Sequence, residues 1–276
     1  MTARAADEPH RVSTQIELLF DLTFVVAVAG LVTQLAHGMA EGHAAEVVAP
    51  FLQVFFAMWW AWMNFTWFAS SYGTDDVPYR LLTLLQMGGV LVLAAGVPSA
   101  FDTGDYGAVT VGYLVMRVGL VAQWLRAARE DPDRRGTTIR YAMGISVVEV
   151  LWLGRQLLAD LGLLSGAAPV LVFVALAGAE LAVPAWAERD NWRTSWHPHH
   201  IAERYALFTI ILLGESVLAV STGFADAVGA GLQGCDLRQG RGNGFVPRRR
   251  NRHRPGTRRV RFTPAPVWNA VWGRLA

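Results

Sequence analysis

Lysine is absent from this 276-residue chain, and all 24 of its basic residues are arginine. With no ε-amino group there is no Schiff-base chemistry, which excludes a seven-helix retinal protein despite the hydrophobic layout. Cysteine is almost as scarce. The single Cys235 excludes an internal disulfide and a thiolate metal cluster. Charge is sparse as well, at 17% of residues against 53% hydrophobic. Several stretches of about twenty residues carry almost none, the length that crosses a hydrocarbon core of about 30 Å. No phosphate-binding glycine loop, no nucleophile with its base and no HExxH pattern is present. No catalytic residue, cofactor or metal is therefore expected, and a non-enzymatic role is favoured while an enzymatic one stays open.

The net charge of +2 conceals two compositions. Residues 1–230 hold 13 Arg against 21 acidic residues, a net −8, whereas residues 231–276 hold 11 Arg against Asp236 alone, a net +10. The body is acidic and apolar, so no nucleic acid partner is expected for it. The tail, "RQGRGNGFVPRRRNRHRPGTRRVRF", has no apolar period from which to build a core and is expected to be disordered. Two origins fit it: a basic arm for anionic lipid or nucleic acid, or an out-of-frame read of a GC-rich gene near Gly231. The second is favoured, because such reads are rich in Arg, Gly and Pro codons. The expected division is a cytoplasmic segment 1–16, a transmembrane helical domain 17–230 and the basic tail 231–276.

Seven apolar segments lie at about 17–37, 47–69, 79–99, 106–126, 139–159, 168–187 and 202–223. Each is long enough to span, and turn formers such as "HGMAEGH", "SSYGTDDVP" and "FDTGD" part them. The fold class is all-α, a polytopic bundle of about seven transmembrane helices. The first segment is not a signal peptide, because its apolar run is too long and it opens on acids rather than a basic flank. The N-terminus and the loops after spans two, four and six carry eleven Arg, among them Arg80, Arg126, Arg134 and Arg189, and the loops after spans one, three and five carry none. By the positive-inside rule the N-terminus is cytoplasmic.

Ionisable residues nevertheless fall inside these spans: Asp21, Arg117, Glu149, Glu180 and Glu215. Each costs about 2.5–3.5 kcal/mol at mid-span. Five facing lipid would cost on the order of 12–17 kcal/mol, against a whole-fold stability of about 5–15 kcal/mol. Most must therefore face inward or be neutral. Arg117 and Glu149 lie level on adjacent antiparallel spans, which predicts an ion pair between them. Arg155, near the outer end of span five, is expected to snorkel to the headgroups. Glu17 and Asp21 share one helix face at i and i+4. Glu17 reads as a helix-start acid favoured by the free backbone N–H groups, and Asp21 lies a turn deeper. Arg204 stands at a matching level in span seven, able to compensate these acids if the two helices touch. Glu215, between Gly214 and Ser216, sits where close helix packing and a ligand role are both open. The "WHPHH" cluster of His197, His199 and His200 is a weak metal motif. Trp59, Trp60, Trp62 and Trp67 of span two suit either an interfacial belt or a ligand lining.

Two stretches carry a family likeness. "ELLFDLTFV", Glu17 to Val25, resembles the E-L-F-F-D-L-x-F-V opening of bacterial low temperature requirement A (LtrA) membrane proteins. "HHIAERYALFTIILLGES", His199 to Ser216, is similar to that family's H-x-x-E-R-x-x-L-F-x-I-I-x-L-G-E-S segment. The likeness covers roughly residues 11–228 and rests on Glu17, Phe20, Asp21, His200, Glu203, Arg204, Gly214 and Glu215. The chain departs at Leu19 and Thr23, and wholly after about Gly231, where members continue with further spans. The resemblance implies a multi-pass inner-membrane protein linked by name to growth in the cold.

The residues point first to a proton- or ion-coupled transporter, with Glu17, Asp21, Glu180, Glu203, Arg204 and Glu215 along the pathway. A membrane-embedded lipid-handling enzyme and a non-catalytic stress-related scaffold or sensor are the alternatives. The expected partners are membrane lipids and an unidentified small molecule or ion, with homo-oligomerisation left open. One prediction follows from the arginine asymmetry. Reporter fusions after the first, third and fifth spans should be active only as periplasmic reporters, and fusions after the second, fourth and sixth only as cytoplasmic ones; the reverse pattern overturns the orientation.

Overall fold

The computed structural model describes residues 14–189, 194 and 198–239. Among them every regular element is an α-helix: α1 Gln15–Ala40, α2 Ala44–Tyr72, α3 Val77–Asp102, α4 Gly107–Glu130, α5 Arg135–Asp160, α6 Ala168–Ala187 and α7 Pro198–Gln239. All seven are long and apolar enough to cross a membrane. Each expected span falls within one of them to within a residue. The chain divides into two units, Met1–Gly229 and Ala230–Ala276. Of the second, only the last part of α7 is among the described residues; the basic stretch from residue 240 onward lies outside them.

Local chemistry sets the helix starts. Thr14 caps α1 in a capping box: Thr14 N donates to Glu17 Oε2 at 2.9 Å, and Glu17 N donates to Thr14 Oγ1 at 3.4 Å. Asp76 caps α3 by accepting from Tyr79 N at 3.0 Å, with Pro78 in the first turn. Arg126, at the end of α4, hydrogen-bonds the same carboxylate and holds Asp76 down at about 2. The turns after α1 and α3 use Gly42 (φ 84°) and Gly104 (φ 70°), a backbone that L side chains avoid.

Packing runs round the bundle in the order α2, α1, α3, α4, α5, α6, with α2 also against α3 and α4. Leu22, Val26, Val118, Val150, Leu171 and Leu213 point outward and are exposed, while Glu17, Asp21, Arg117, Glu149, Glu180 and Arg204 are buried. Apolar outside and charged inside is the arrangement expected where hydrocarbon is the solvent.

The α3–α4 contact is the tightest. A Cβ on Gly112 would lie 2.6 Å from Gly89 O and 2.8 Å from Leu93 Cα, and one on Gly89 would lie 2.7 Å from Gly112 O. The two backbones touch through glycine, the small-residue packing typical of membrane helices. A polar run continues the seam: Gln86 Nε2 donates to Gln123 Oε1 at 2.9 Å and Gln123 Nε2 to Thr83 Oγ1 at 3.2 Å. Gly112→Ala should therefore destabilise the bundle by about 1–3 kcal/mol through overpacking against backbone. Gly30→Ala, where a Cβ meets nothing within 4 Å, should be neutral or stabilising. Thermal unfolding in detergent distinguishes the two; equal effects would show that the glycine contact does not matter.

Candidate functional site

The site begins with two tryptophans of α2. Trp60 and Trp62 are two residues apart, about 200° round the helix, so their indoles leave opposite faces. Trp60 Nε1 donates to Glu180 Oε2 on α6 at 2.8 Å, and Trp62 Nε1 donates to Asp21 Oδ1 on α1 at 2.8 Å. Each carboxylate also meets a buried arginine. The helix α2 thus stands as a wall between two charged centres.

The first centre joins α1 to α7. Arg204 Nη2 hydrogen-bonds and ion-pairs with Asp21 Oδ1. One turn back on both helices, His200 Nε2 lies 3.5 Å from Glu17 Oε2. Both helices start at the same end of the bundle, so matched i, i+4 pairs on parallel helices form two rungs. The Arg204 guanidinium lies 5.7 Å from the ring centres of Trp62 and Phe65, and Phe208 stacks on Trp62 at 4.5 Å. Asp21 is 5% exposed and Arg204 0%, so the pair is screened by aromatic faces rather than water.

The second centre joins α2, α4, α5 and α6. Glu180 receives three donors: Trp60 Nε1, Tyr113 Oη at 2.9 Å and Arg117 Nη2 at 3.3 Å. Arg117 also hydrogen-bonds the Tyr113 hydroxyl oxygen one turn back on α4 and lies over that ring, 4.4 Å from its centre. The sequence reading paired Arg117 with Glu149; the guanidinium instead pairs with Glu180. Level depth on antiparallel neighbours brings Arg117 and Glu149 near one another, but Tyr113 and Trp60 orient Glu180 as the better acceptor. Glu149 is 5% exposed, and neither of its carboxylate oxygens has a hydrogen-bond partner among the described residues. Arg117 Nε and Nη1 are equally unpartnered there. Both residues border a groove of about 390 Å³ between α4 and α5, lined mostly by aliphatic side chains such as the outward-facing Val118 and Val150.

The remaining candidates fall outside these centres. Glu203 is exposed and Glu215 half-buried, and no hydrogen bond or ion pair joins either to a centre among the described residues. His199 is exposed while His200 faces Glu17, and His197 lies outside the described residues. Among the described residues no group of three metal-binding side chains converges. Arg155 does not snorkel to the surface; it is buried at the far end of the bundle. Sequence reasoning missed Tyr113, and left the hydrogen-bonding role of Trp60 and Trp62 unassigned. The available signal was the spacing of Tyr113 one turn before Arg117, which places a hydroxyl beside a guanidinium.

A bundle of seven membrane-crossing helices with ion pairs enclosed at its centre defines a polytopic membrane protein. Residues 12–234 match the family model described as bacterial low temperature requirement A protein (LtrA), and the chain belongs to that family. It is 31% identical over 212 residues to an uncharacterized protein, RA0937, of Rhizobium meliloti (strain 1021), a match covering 74% of this chain and 49% of the relative. The chain thus spans about half the length of that relative. No solved structure matches the chain.

The Asp21–Arg204 pair yields a stability prediction. Asp21→Ala should strand a buried guanidinium and cost about 3–5 kcal/mol, and Arg204→Met should cost a similar amount by stranding the acid. Asp21→Leu combined with Arg204→Met should recover most of the loss. A double-mutant cycle by thermal unfolding in detergent checks this; additive losses would mean that the two side chains do not support one another.

Proposed function

We propose that this protein is a proton- or ion-coupled transporter of the inner (plasma) membrane, with Glu149 as the coupling group beside Arg117 and Glu180. The observation that supports this reading is the charge count of the second centre. Glu149 and Glu180 share one cation, Arg117. Glu180 takes the guanidinium, an indole and a phenol. Glu149 is left buried and uncompensated, a state that costs several kcal/mol if the group is ionised. It is therefore held either as the neutral acid or as a carboxylate with a bound cation. Exchange between those states takes up and releases a proton or cation inside the membrane, which is what coupling requires.

The first centre serves differently. Asp21 and Arg204 neutralise one another, and this pair fixes α7 against α1 near the end where both helices begin. With the N-terminus cytoplasmic, as the arginine asymmetry indicates, that lock is the cytoplasmic gate, and an inward-open state requires the Arg204 contact to loosen. Glu215, half-buried on α7, has a weaker claim to coupling than Glu149.

Proton flux measured with a pH-sensitive dye in proteoliposomes tests the assignment. Glu149→Gln should lower flux on the order of tenfold or more while leaving thermal stability intact, because the native carboxylate accepts no hydrogen bond. Glu203→Gln, at an exposed position, should leave it unchanged. Wild-type vesicles no more permeable than protein-free ones, or undiminished flux in Glu149→Gln, would remove the reading.

A further inference from the structure

Three arginines are buried inside the described bundle, and they are not alike. Arg117 and Arg204 each face a carboxylate. Arg155 faces none: it takes part in no ion pair among the described residues, although it is only 9% exposed. Its Nη2 donates to the neutral Gln53 Oε1 of α2 at 3.2 Å, and its Nε has no acceptor among the described residues. The rings of Tyr106, Trp152 and Phe173 surround the guanidinium at 5.8–5.9 Å, within the range of cation–π attraction. Aromatic faces attenuate the cost of a buried cation but do not cancel its charge.

The guanidinium lines a small, partly open cleft of about 40 Å³ with these rings and Gln53, room for a compact group rather than for a whole drug-sized ligand. The cleft lies at the end of the bundle opposite the start of α1. Arg155 is five residues before the end of α5 at Asp160, about 7.5 Å from it at 1.5 Å per residue. On the seven-span reading, this end of α5 meets the headgroup region. One fixed positive charge suits one negative charge, and an aromatic wall suits an apolar body beside it.

We propose that the Arg155 cleft binds a monoanionic phosphate group, the guanidinium forming charge-assisted hydrogen bonds to its oxygens and the rings holding the adjoining apolar segment. The site is separate from the Arg117 centre and does not depend on transport. The chemistry is met by an anionic phospholipid from the surrounding leaflet, or by a free phosphate from the aqueous side.

Thermal unfolding of the full chain in detergent, with and without added ligand, tests the assignment. Phosphatidylglycerol should raise the midpoint of the wild-type protein, and phosphatidylcholine, whose phosphate is neutralised by its own ammonium, should raise it less. If inorganic phosphate alone reproduces the shift, the source is the free anion; if it has no effect, the source is the lipid. Arg155→Met should be at least as stable as wild type without ligand, because it removes a buried charge with no acid partner. It should also bind phosphatidylglycerol on the order of tenfold more weakly. Wild-type protein that responds equally to the two lipids and not to phosphate overturns the proposal without recourse to a variant. So does an Arg155→Met protein that keeps the full shift.

Discussion

A guanidinium in hydrocarbon cannot escape its charge by losing a proton, so a counter-charge must come from the helices around it or from a bound anion. Arg117 and Arg204, 1% and 0% exposed, therefore dictate much of what surrounds them. Each draws a carboxylate from another helix, Glu180 from α6 and Asp21 from α1. Each is backed by an aromatic face, and each carboxylate receives an indole N–H from α2. The arrangement links α1 to α7 and α4 to α6 across a single wall. In water such pairs would contribute little. In lipid, separating the partners exposes an ionised group to a solvent that cannot accept it, which gives the pairs authority over helix register.

The ion pairs position helices but do not bring backbones into contact. That task falls to the α3–α4 seam, where Gly89 and Gly112 remove the side chains that would hold the helices apart. Lipid tails are as apolar as leucine, so burial of hydrocarbon gives little drive for association within the bilayer. Close van der Waals contact and interhelical hydrogen bonds such as Gln86 to Gln123 must supply it. The bundle thus combines a closely fitted α3–α4 seam with polar centres in which α1 and α7, and α2, α4 and α6, meet through long side chains.

The helices were legible in the sequence because the hydrocarbon thickness imposes a length and the absence of charge marks it. Inward placement of Asp21, Glu149 and Glu180 was equally legible, since the alternative exceeded the stability of a fold. Compensation of the α1 acids by Arg204 was legible on the condition that the two helices touch, but its pairing with Asp21, and of His200 with Glu17, was not. Partner choice at Arg117 did not follow. Depth on adjacent helices is a one-dimensional coordinate, and selecting Glu180 over Glu149 depends on rotation about α4, α5 and α6, which an evenly apolar helix does not record. The same limitation applies to Arg155. Snorkelling is the default for an arginine near a span end, and only the rings of Trp152, Phe173 and Tyr106, drawn from three helices, show why the side chain turns inward.

The two centres are not independent, because one rigid turn of α2 contributes to both. Trp60 and Trp62 are held in the same helical ladder, so moving α2 along its axis to release Glu180 also pulls the indole from Asp21. Rotating α2 to improve one bond worsens the other, since the two indoles leave opposite faces. A shift of α2 that broke the Trp60 contact with Glu180 would therefore also act on Asp21 Oδ1, which Trp62 shares with Arg204. Under the proposed transport reading, alternating access would draw on this linkage between a polar centre and a second contact at one end of the bundle. Trp60 and Trp62, which the sequence left open between an interfacial belt and a ligand lining, are on this geometry the side chains that join α2 to both centres.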